Sequence, residues 1–228
     1  MRINSYLAKS GLGSRRHVER YIIEGRVLIN GQKAKLHSTV NVTDEVLFNN
    51  KKIGINEKLY YLVNKPVGYV STVSDEHANK KVVDLVGGKK LFPVGRLDKD
   101  SEGLVILTND GDFAQRLSHP KYEHEKEYLV EVKLPRKQRS QYLENAIKFF
   151  KCGVILDNKK TKPSQIKIIA QNGNIARFNI VLKEGVNRQI RKTFAKAKLE
   201  VSILKRIRIG EYTLGDLKTG ETQRFYVK

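Results

Sequence analysis

A glycine-bounded acidic turn is the strongest candidate for chemistry in this sequence. Asp98 has a basic residue close on either side, and Gly95 and Gly103 flank the turn. The apolar run 104–107 follows at once, which predicts a turn that feeds a buried strand. Catalytic groups concentrate on loops held by a rigid sheet, so Asp98 is a candidate catalytic carboxylate. An exposed aspartate in an ordinary polar turn is the alternative interpretation.

Two later stretches supply further candidates. Residues 125–132 alternate polar with apolar, which predicts a half-buried strand whose Tyr128 faces the core or a pocket. A core tyrosine with a satisfied hydroxyl is the alternative. Asn187 is predicted to cap a helix with Ile190 inward and Arg191 beside that apolar stripe. A guanidinium in the first turn opposes the helix dipole, so it requires a carboxylate or phosphate close by.

The first 56 residues predict a small basic module. Two short helices are expected over 3–9 and 15–24, the second capped by Ser14. Asn30-Gly31 predicts a tight hairpin turn, because Asn and Gly tolerate the positive φ that it needs. Ten basic and four acidic residues give this module a net charge of +6. The positive charge of the second helix comes from Arg15, Arg16 and Arg20.

A polar linker over 51–58 separates this module, residues 1–56, from a second domain, residues 57–228. Buried-strand runs, the hairpin signal Asn172-Gly173 and a helix over 138–149 predict a mixed, largely antiparallel sheet flanked by helices. The expected class is therefore α+β. Residues 74–90 are expected to form a loop with one short helix near 82–86. No glycine-rich phosphate loop is present in the sequence, so no nucleotide cofactor is expected.

Composition narrows the kind of partner. The 228-residue chain carries 44 Lys and Arg against 24 Asp and Glu, a formal charge of +20 that favours a polyanion such as nucleic acid. One cysteine excludes an internal disulfide, and no Cys/His spacing resembles a zinc site. The first residues contain no apolar core of a secretory signal peptide, and no apolar run is long enough to span a membrane. A cytoplasmic, monomeric protein without metal is expected.

Four segments in order resemble one enzyme family, the Rsu family of ribosomal RNA pseudouridine synthases. The first module likewise resembles the RNA-binding domain found in ribosomal protein S-four. The resemblance implies that Asp98 is the nucleophile, that Tyr128 contacts the target base and that Arg191 pairs with the aspartate. Leu204 matches an apolar residue near the base. The matching segments are Lys65 to Gly68, Gly95 to Leu104, Lys126 to Tyr128 and Asn187 to Arg191.

This resemblance predicts isomerisation of uridine to pseudouridine in ribosomal RNA, with 23S favoured over 16S and the target base flipped out of its stack. Asp98 can either attack carbon 1 of the ribose or remove the proton at carbon 2. The alternatives are a non-catalytic rRNA-binding or ribosome-assembly factor and a carboxylate-nucleophile hydrolase. The predicted RNA contacts are Arg15, Arg16, Arg20, Lys65, Arg96, Arg188 and Lys192. Lys65 has a second possible role, which is to position the catalytic loop.

Overall fold

The computed structural model describes residues 1–73 and 79–227. The chain divides into two compact units, Met1–Leu59 and Tyr60–Lys228. Part of the loop predicted over 74–90, residues 74–78, lies outside the described residues. No helix within the described ranges is long and apolar enough to cross a membrane.

The first unit packs two helices against a small antiparallel sheet with strand order β2-β1-β3-β4. Its core consists of buried aliphatic side chains from both layers, including Leu7, Val18, Val27 and Val46. The elements are α1 (Ile3–Lys9), α2 (Arg15–Ile23), β1 (Val27–Ile29), β2 (Gln32–Lys33), β3 (Val46–Phe48) and β4 (Lys51–Lys52).

Two local predictions for this unit are confirmed. The Ser14 hydroxyl accepts a hydrogen bond of 3.2 Å from the backbone N–H of His17, which satisfies a free donor at the start of α2. Asn30 and Gly31 both adopt positive φ, 50° and 81°, so β1 and β2 are joined by the expected hairpin turn.

The second unit contains one large sheet with helices packed against it. A 3-10 helix occupies Val82–Val86, where a short helix was expected. The strands are β5 (Tyr60–Lys65), β6 (Phe92–Val94), β7 (Glu102–Thr108), β8 (Lys126–Lys133), β9 (Ile155–Leu156), β10 (Lys159–Lys160), β11 (Gln165–Asn172), β12 (Ile175–Leu182), β13 (Glu200–Ile209), β14 (Tyr212–Thr213) and β15 (Thr222–Phe225). The helices are α3 (Gly111–Ser118), α4 (Arg139–Cys152) and α5 (Gln189–Lys196), and a second 3-10 helix spans Pro120–Tyr122.

The large sheet has nine strands, with β11-β12-β8-β13-β7-β5-β15 in order, β14 beside β13 and β6 beside β7. The pairing of β13 with β7 is parallel, and the other pairings described in this sheet are antiparallel. The predicted α+β class with a mixed, largely antiparallel sheet is confirmed. The parallel pairing brings Lys205 and Arg206, in the middle of β13, beside the start of β7, directly after the Asp98 turn.

The predicted start of α5 is wrong. Asn187 was expected to cap it, but the helix begins at Gln189, after Arg188 in the left-handed conformation with φ of 51°. No side chain caps this end of the helix. The left-handed residue turns the chain sharply before the helix, and it therefore changes which arginine faces the Asp98 turn.

Candidate active site

Backbone and hydroxyl contacts hold the Asp98 turn in place. The backbone N–H of Ser101 donates to the carbonyl of Asp98 at 3.1 Å, which closes the turn. The Ser71 hydroxyl both accepts from the N–H of Leu97 and donates to its carbonyl, each at 3.0 Å. Gly68 N–H donates to the carbonyl of Lys99 at 2.7 Å. The loop after β5 therefore clamps the residues on both sides of Asp98.

Lys65 supports that clamping loop from inside the protein. Its side chain is 0% exposed, and its ammonium donates to the carbonyls of Pro66 at 2.9 Å and Tyr69 at 2.8 Å. Burial lowers the pKa of Lys65 to about 8, although Asp100 and Asp98 nearby oppose that shift. Its ammonium is engaged with the backbone of the loop, and binding of RNA by Lys65 stays a prediction. Its geometry matches the alternative role of positioning the loop.

The arginine that meets Asp98 is Arg188. Its Nη1 lies 3.3 Å from Asp98 Oδ2, and both side chains are partly exposed. Arg191, predicted to be this partner, instead has Nε 3.3 Å from Asp100 Oδ2 and donates to the carbonyls of Asp100 at 2.8 Å and Val201 at 3.1 Å. The predicted pairing of Arg191 with Asp98 is therefore corrected. The physical reason is the left-handed turn at Arg188, which directs that side chain to the carboxylate.

Asp100 links both arginines to the turn. Its carboxylate accepts two hydrogen bonds from Arg188, at 3.0 and 2.8 Å, in the bidentate geometry that guanidinium favours. The hydrogen bond from Arg188, followed by the charges of Arg191 and Arg188, lowers the pKa of Asp100, and desolvation opposes the shift. The need for a carboxylate beside these arginines was predicted from the helix dipole. That Asp100 supplies most of the contacts was not predicted.

Asp98 borders a cavity of about 520 Å³, which Tyr128, Leu204 and Arg188 also line. Tyr128 lies directly opposite Arg206 in the antiparallel pairing of β8 with β13, and Leu204 lies two residues before Arg206. Opposed residues share a face of a sheet, as do residues two apart. The structure therefore brings Asp98, Tyr128 and Leu204 to one cavity.

Sequence reasoning missed two buried residues of this cavity, Arg206 and Gln189. Arg206 is 3% exposed, and its Nε donates to the carbonyl of Leu104 at 2.8 Å. Gln189 is 4% exposed, and its amide donates to Glu184 at 2.7 Å. Arg206 follows Leu204 by two positions in a strand, which was a usable signal for a shared face. Gln189 had no such signal, because its burial depends on where α5 begins.

The cavity also depends on a close approach at Gly103. A Cβ on this residue would lie 2.2 Å from the carbonyl oxygen of Arg206, and its φ of 104° favours glycine. Gly103 is paired with Arg206 where β7 and β13 run parallel. Glycine thus lets β13 carry Arg206 and Leu204 close to the turn.

The remaining candidate RNA contacts differ in their surroundings. Arg15, Arg16 and Arg20 are exposed on α2, and Arg20 lies 3.5 Å from Glu24. Arg96 is exposed at the edge of the cavity. Lys192 forms an ion pair with Asp157. No cluster of three or more His, Cys, Asp or Glu side chains in the described parts of the chain is arranged to hold a metal ion.

Comparison with known families matches both units. Residues 59–196 match the family of RNA pseudouridylate synthases, and residues 1–46 match the S4 domain. These matches define an RNA-modifying enzyme with an S4 domain. The chain belongs to the RNA pseudouridylate synthase family.

Similar proteins cover nearly the whole chain. Ribosomal large subunit pseudouridine synthase B of Bacillus subtilis is 35% identical over 97% of this chain and 91% of its own length. The dual-specificity RNA pseudouridine synthase RluF of Escherichia coli K12 is 38% identical over 97% of this chain and 74% of its own. A crystal structure of a pseudouridylate synthase superposes with a TM-score of 0.66 at 28% identity, covering 99% of this chain and 96% of that one.

Proposed function

We propose that this protein isomerises specific uridines to pseudouridine in large-subunit ribosomal RNA, with Asp98 as the catalytic residue. The observation that carries the proposal is the placement of the Asp98 carboxylate on a cavity shared with Tyr128 and Leu204, with Arg188 Nη1 at 3.3 Å. The name of the Bacillus subtilis relative favours the large subunit as the source of the substrate. We place the activity in the cytoplasm, with the chain acting as a monomer.

The chemistry needs an ionised carboxylate beside the sugar of a flipped nucleotide. In one route, an Asp98 oxygen attacks carbon 1 of the ribose, and the electrons of the breaking bond pass to nitrogen 1 of uracil. In the other, Asp98 takes the proton from carbon 2 as that bond breaks. Arg188, whose Nη1 lies 3.3 Å from Asp98 Oδ2, is the charge partner that orients this carboxylate in either route.

The second half of the reaction joins carbon 5 of uracil to the ribose. The base turns within the cavity, carbon 5 bonds to carbon 1, and Asp98 is released or returns its proton to carbon 2. Carbon 5 then loses its proton to the Tyr128 oxygen or to water, and nitrogen 1 gains one. Leu204 and the ring of Tyr128 supply apolar surface for the turning base. Flipping the target nucleotide costs a few kcal/mol. Contacts between the protein and the surrounding RNA must offset this free-energy cost.

Those RNA contacts are proposed for the exposed basic residues. The formal charge of +20 supports binding to a polyanion. On α2, the S4 domain presents Arg15 and Arg16 in the first turn, at the positive end of the helix dipole, where a phosphate relieves their repulsion, and Arg20 in the last turn. Arg96 lies at the cavity edge and is proposed to bind phosphate there. We retain Lys192 as a weaker contact, because Asp157 already partners it.

Tritium release from RNA labelled at uracil carbon 5 tests the proposal. Wild-type protein should release tritium from fragments of 23S rRNA and not from matched 16S fragments. Asp98→Asn should abolish release and leave RNA binding nearly unchanged, because asparagine preserves the shape but can neither attack nor accept the proton. Asp216→Asn, the same change at an exposed turn, is the matched control.

Each outcome decides between functions. Binding of rRNA by the wild type without tritium release from any fragment would establish the non-catalytic rRNA-binding alternative. Full turnover by Asp98→Asn would remove Asp98 as the catalytic residue. Release from 16S rRNA alone would overturn the large-subunit assignment and leave the enzyme class intact.

A further inference from the structure

Two buried polar atoms without a hydrogen-bond partner belong to residues that line the active-site cavity. They are Nη2 of Arg206 and Oε1 of Gln189, and neither has a partner among the residues that the structure describes. Their residues are 3% and 4% exposed. A buried polar group without a partner costs free energy, so a ligand that supplies the missing hydrogen bonds is favoured at this position.

The hydrogen-bonding role of each atom is determined by its neighbours. The Gln189 amide nitrogen donates to Glu184 Oε1 at 2.7 Å, which leaves Oε1 as an acceptor. Arg206 Nη2 can only donate. Its Nε and Nη1 already donate to the carbonyls of Leu104 at 2.8 Å and Arg96 at 3.4 Å. Two residues that line the cavity therefore carry one buried cationic donor and one buried neutral acceptor that the described hydrogen bonds do not use.

The sheet places the donor on the face that the target base must contact. Arg206 lies opposite Tyr128 in the register of β13 and β8, so the two side chains share a face. The register then shifts between Arg206 and Arg208, and Arg208 lies opposite Glu127 instead. This irregularity sends Arg208 to the other face, where it binds Glu127 at 2.7 Å. Arg206 alone of these two arginines is directed to the cavity.

The donor and acceptor roles of these two atoms match the edge of uracil and mismatch that of cytosine. Uracil carries carbonyl acceptors at carbons 2 and 4 and a donor at nitrogen 3 between them. Cytosine replaces the carbon 4 carbonyl with an amino donor and has an acceptor at nitrogen 3. An acceptor that takes the N–H of uracil would face the nitrogen 3 acceptor of cytosine, and a donor to the carbon 4 carbonyl would face the cytosine amino group, which leaves buried polar groups unpaired.

We propose that Arg206 and Gln189 recognise the uracil edge of the flipped nucleotide. Arg206 Nη2 donates to the carbon 4 carbonyl of uracil, and Gln189 Oε1 accepts the N–H at nitrogen 3. The positive charge of Arg206 also stabilises the negative charge that uracil acquires when its bond to ribose breaks. This inference rests on the proposed function, and it adds the residues that select the base.

A second basic residue, Lys126, lies on the same cavity wall as Arg206. Lys126 also lines the cavity and follows the same strand as Tyr128. Burial, and secondarily the positive charge of Arg206, lowers the pKa of Lys126. Arg206 and Lys126 thus place two basic side chains on the wall of the cavity.

The experiment compares two RNA fragments that differ at one nucleotide. The first is a fragment that the wild type converts, and the second carries cytidine at the converted position. Each competes with labelled substrate for the full-length protein. We expect the wild type to prefer the uridine fragment by about tenfold or more. Gln189→Met and Arg206→Met should bring this ratio to near one.

Arg208→Met is the matched control, because Arg208 lies on the same strand with its side chain on the opposite face. It should keep the wild-type ratio. A purely structural role for Arg206, through Leu104 and Arg96, would weaken binding of both fragments equally and leave the ratio unchanged. If Arg206→Met does not fold, Gln189→Met decides, since that side chain contacts no backbone carbonyl in the described hydrogen bonds.

The outcomes separate this inference from the proposed function. If the wild type converts the uridine fragment, and folded Gln189→Met and Arg206→Met keep its preference for that fragment over the cytidine fragment, base recognition by these residues is overturned. The enzyme assignment is then left intact. Absence of conversion of any rRNA fragment by the wild type overturns both. Loss of the preference for the uridine fragment in Arg208→Met would also refute the inference, because this preference would then not depend on the face of the strand that lines the cavity.

Discussion

Replacement of Gly103 by alanine should destabilise the larger unit and displace one wall of the active site. The added Cβ would lie 2.2 Å from the carbonyl oxygen and 2.7 Å from the nitrogen of Arg206. Both are backbone atoms, so no side-chain rotation relieves the contact. Strand β13 must move away from β7, and it carries Leu204 and Arg206 with it.

The magnitude follows from three contributions. A non-glycine residue at the observed φ of 104° costs about 1–2 kcal/mol. Overpacking against the β13 backbone adds roughly 1–3 kcal/mol. The smaller conformational freedom of alanine in the unfolded chain offsets about 0.4–1 kcal/mol. The net loss in the free energy of unfolding is about 2–4 kcal/mol, which lowers Tm by roughly 5–15 °C for a unit of this size.

Thermal unfolding followed by tyrosine circular dichroism measures this loss. The chain has ten tyrosines and no tryptophan, and only Tyr6 and Tyr21 precede residue 60, so the signal reports mainly the larger unit. Tritium release at a temperature where the variant is folded measures the displacement of the wall. A misplacement near 1 Å can cost about a hundredfold in rate.

Gly111→Ala is the control. Gly111 opens helix α3, has no positive φ, and a Cβ there would meet no atom within 4 Å. It should match or slightly exceed the wild type in Tm and keep full activity. Wild-type Tm and activity in Gly103→Ala would refute the claim that the close approach of β7 and β13 shapes the cavity.

Two further predictions concern groups that position the Asp98 turn. Because the pKa of Lys65 lies at about 8, below its ordinary 10.5, the folded protein holds fewer protons than the unfolded chain between these values. The free energy of unfolding of the wild type should therefore rise between pH 8 and 10, by up to roughly 3 kcal/mol. Denaturant titrations across this pH range should show no such rise for Lys65→Met. If the two proteins gave parallel pH profiles, the burial of a charged Lys65 would be contradicted. Asp100→Asn removes the carboxylate that binds Arg188 at 2.8 and 3.0 Å. The rate of single-turnover tritium release should therefore fall about tenfold, and the affinity for RNA should be retained. An unchanged rate would show that Arg188 needs no support from Asp100.

The sequence alone determined the features that depend on neighbouring residues. The Ser14 cap and the Asn30-Gly31 turn were predictable, because capping and positive φ are properties of a few adjacent residues. The four matching segments, of which the motif around Asp98 is one, were likewise sufficient to indicate the enzyme family. Alternation over 125–132 placed Tyr128 on an inward face, and the structure sets it in the cavity.

The tertiary structure decided which of the distant residues meet. Asp98 and Arg188 are 90 positions apart, and their contact depends on the left-handed turn before α5, which overrode the expected Asn187 cap. Lys65 ends strand β5, which pairs with β7 through Lys65 itself and with β15 over residues 60–63, and no local pattern encodes these pairings. The parallel pairing at Gly103 brings Arg206 to the cavity for the same reason. Chain segments remote in sequence pack together to bury a shared core, and that packing sets the geometry of the site.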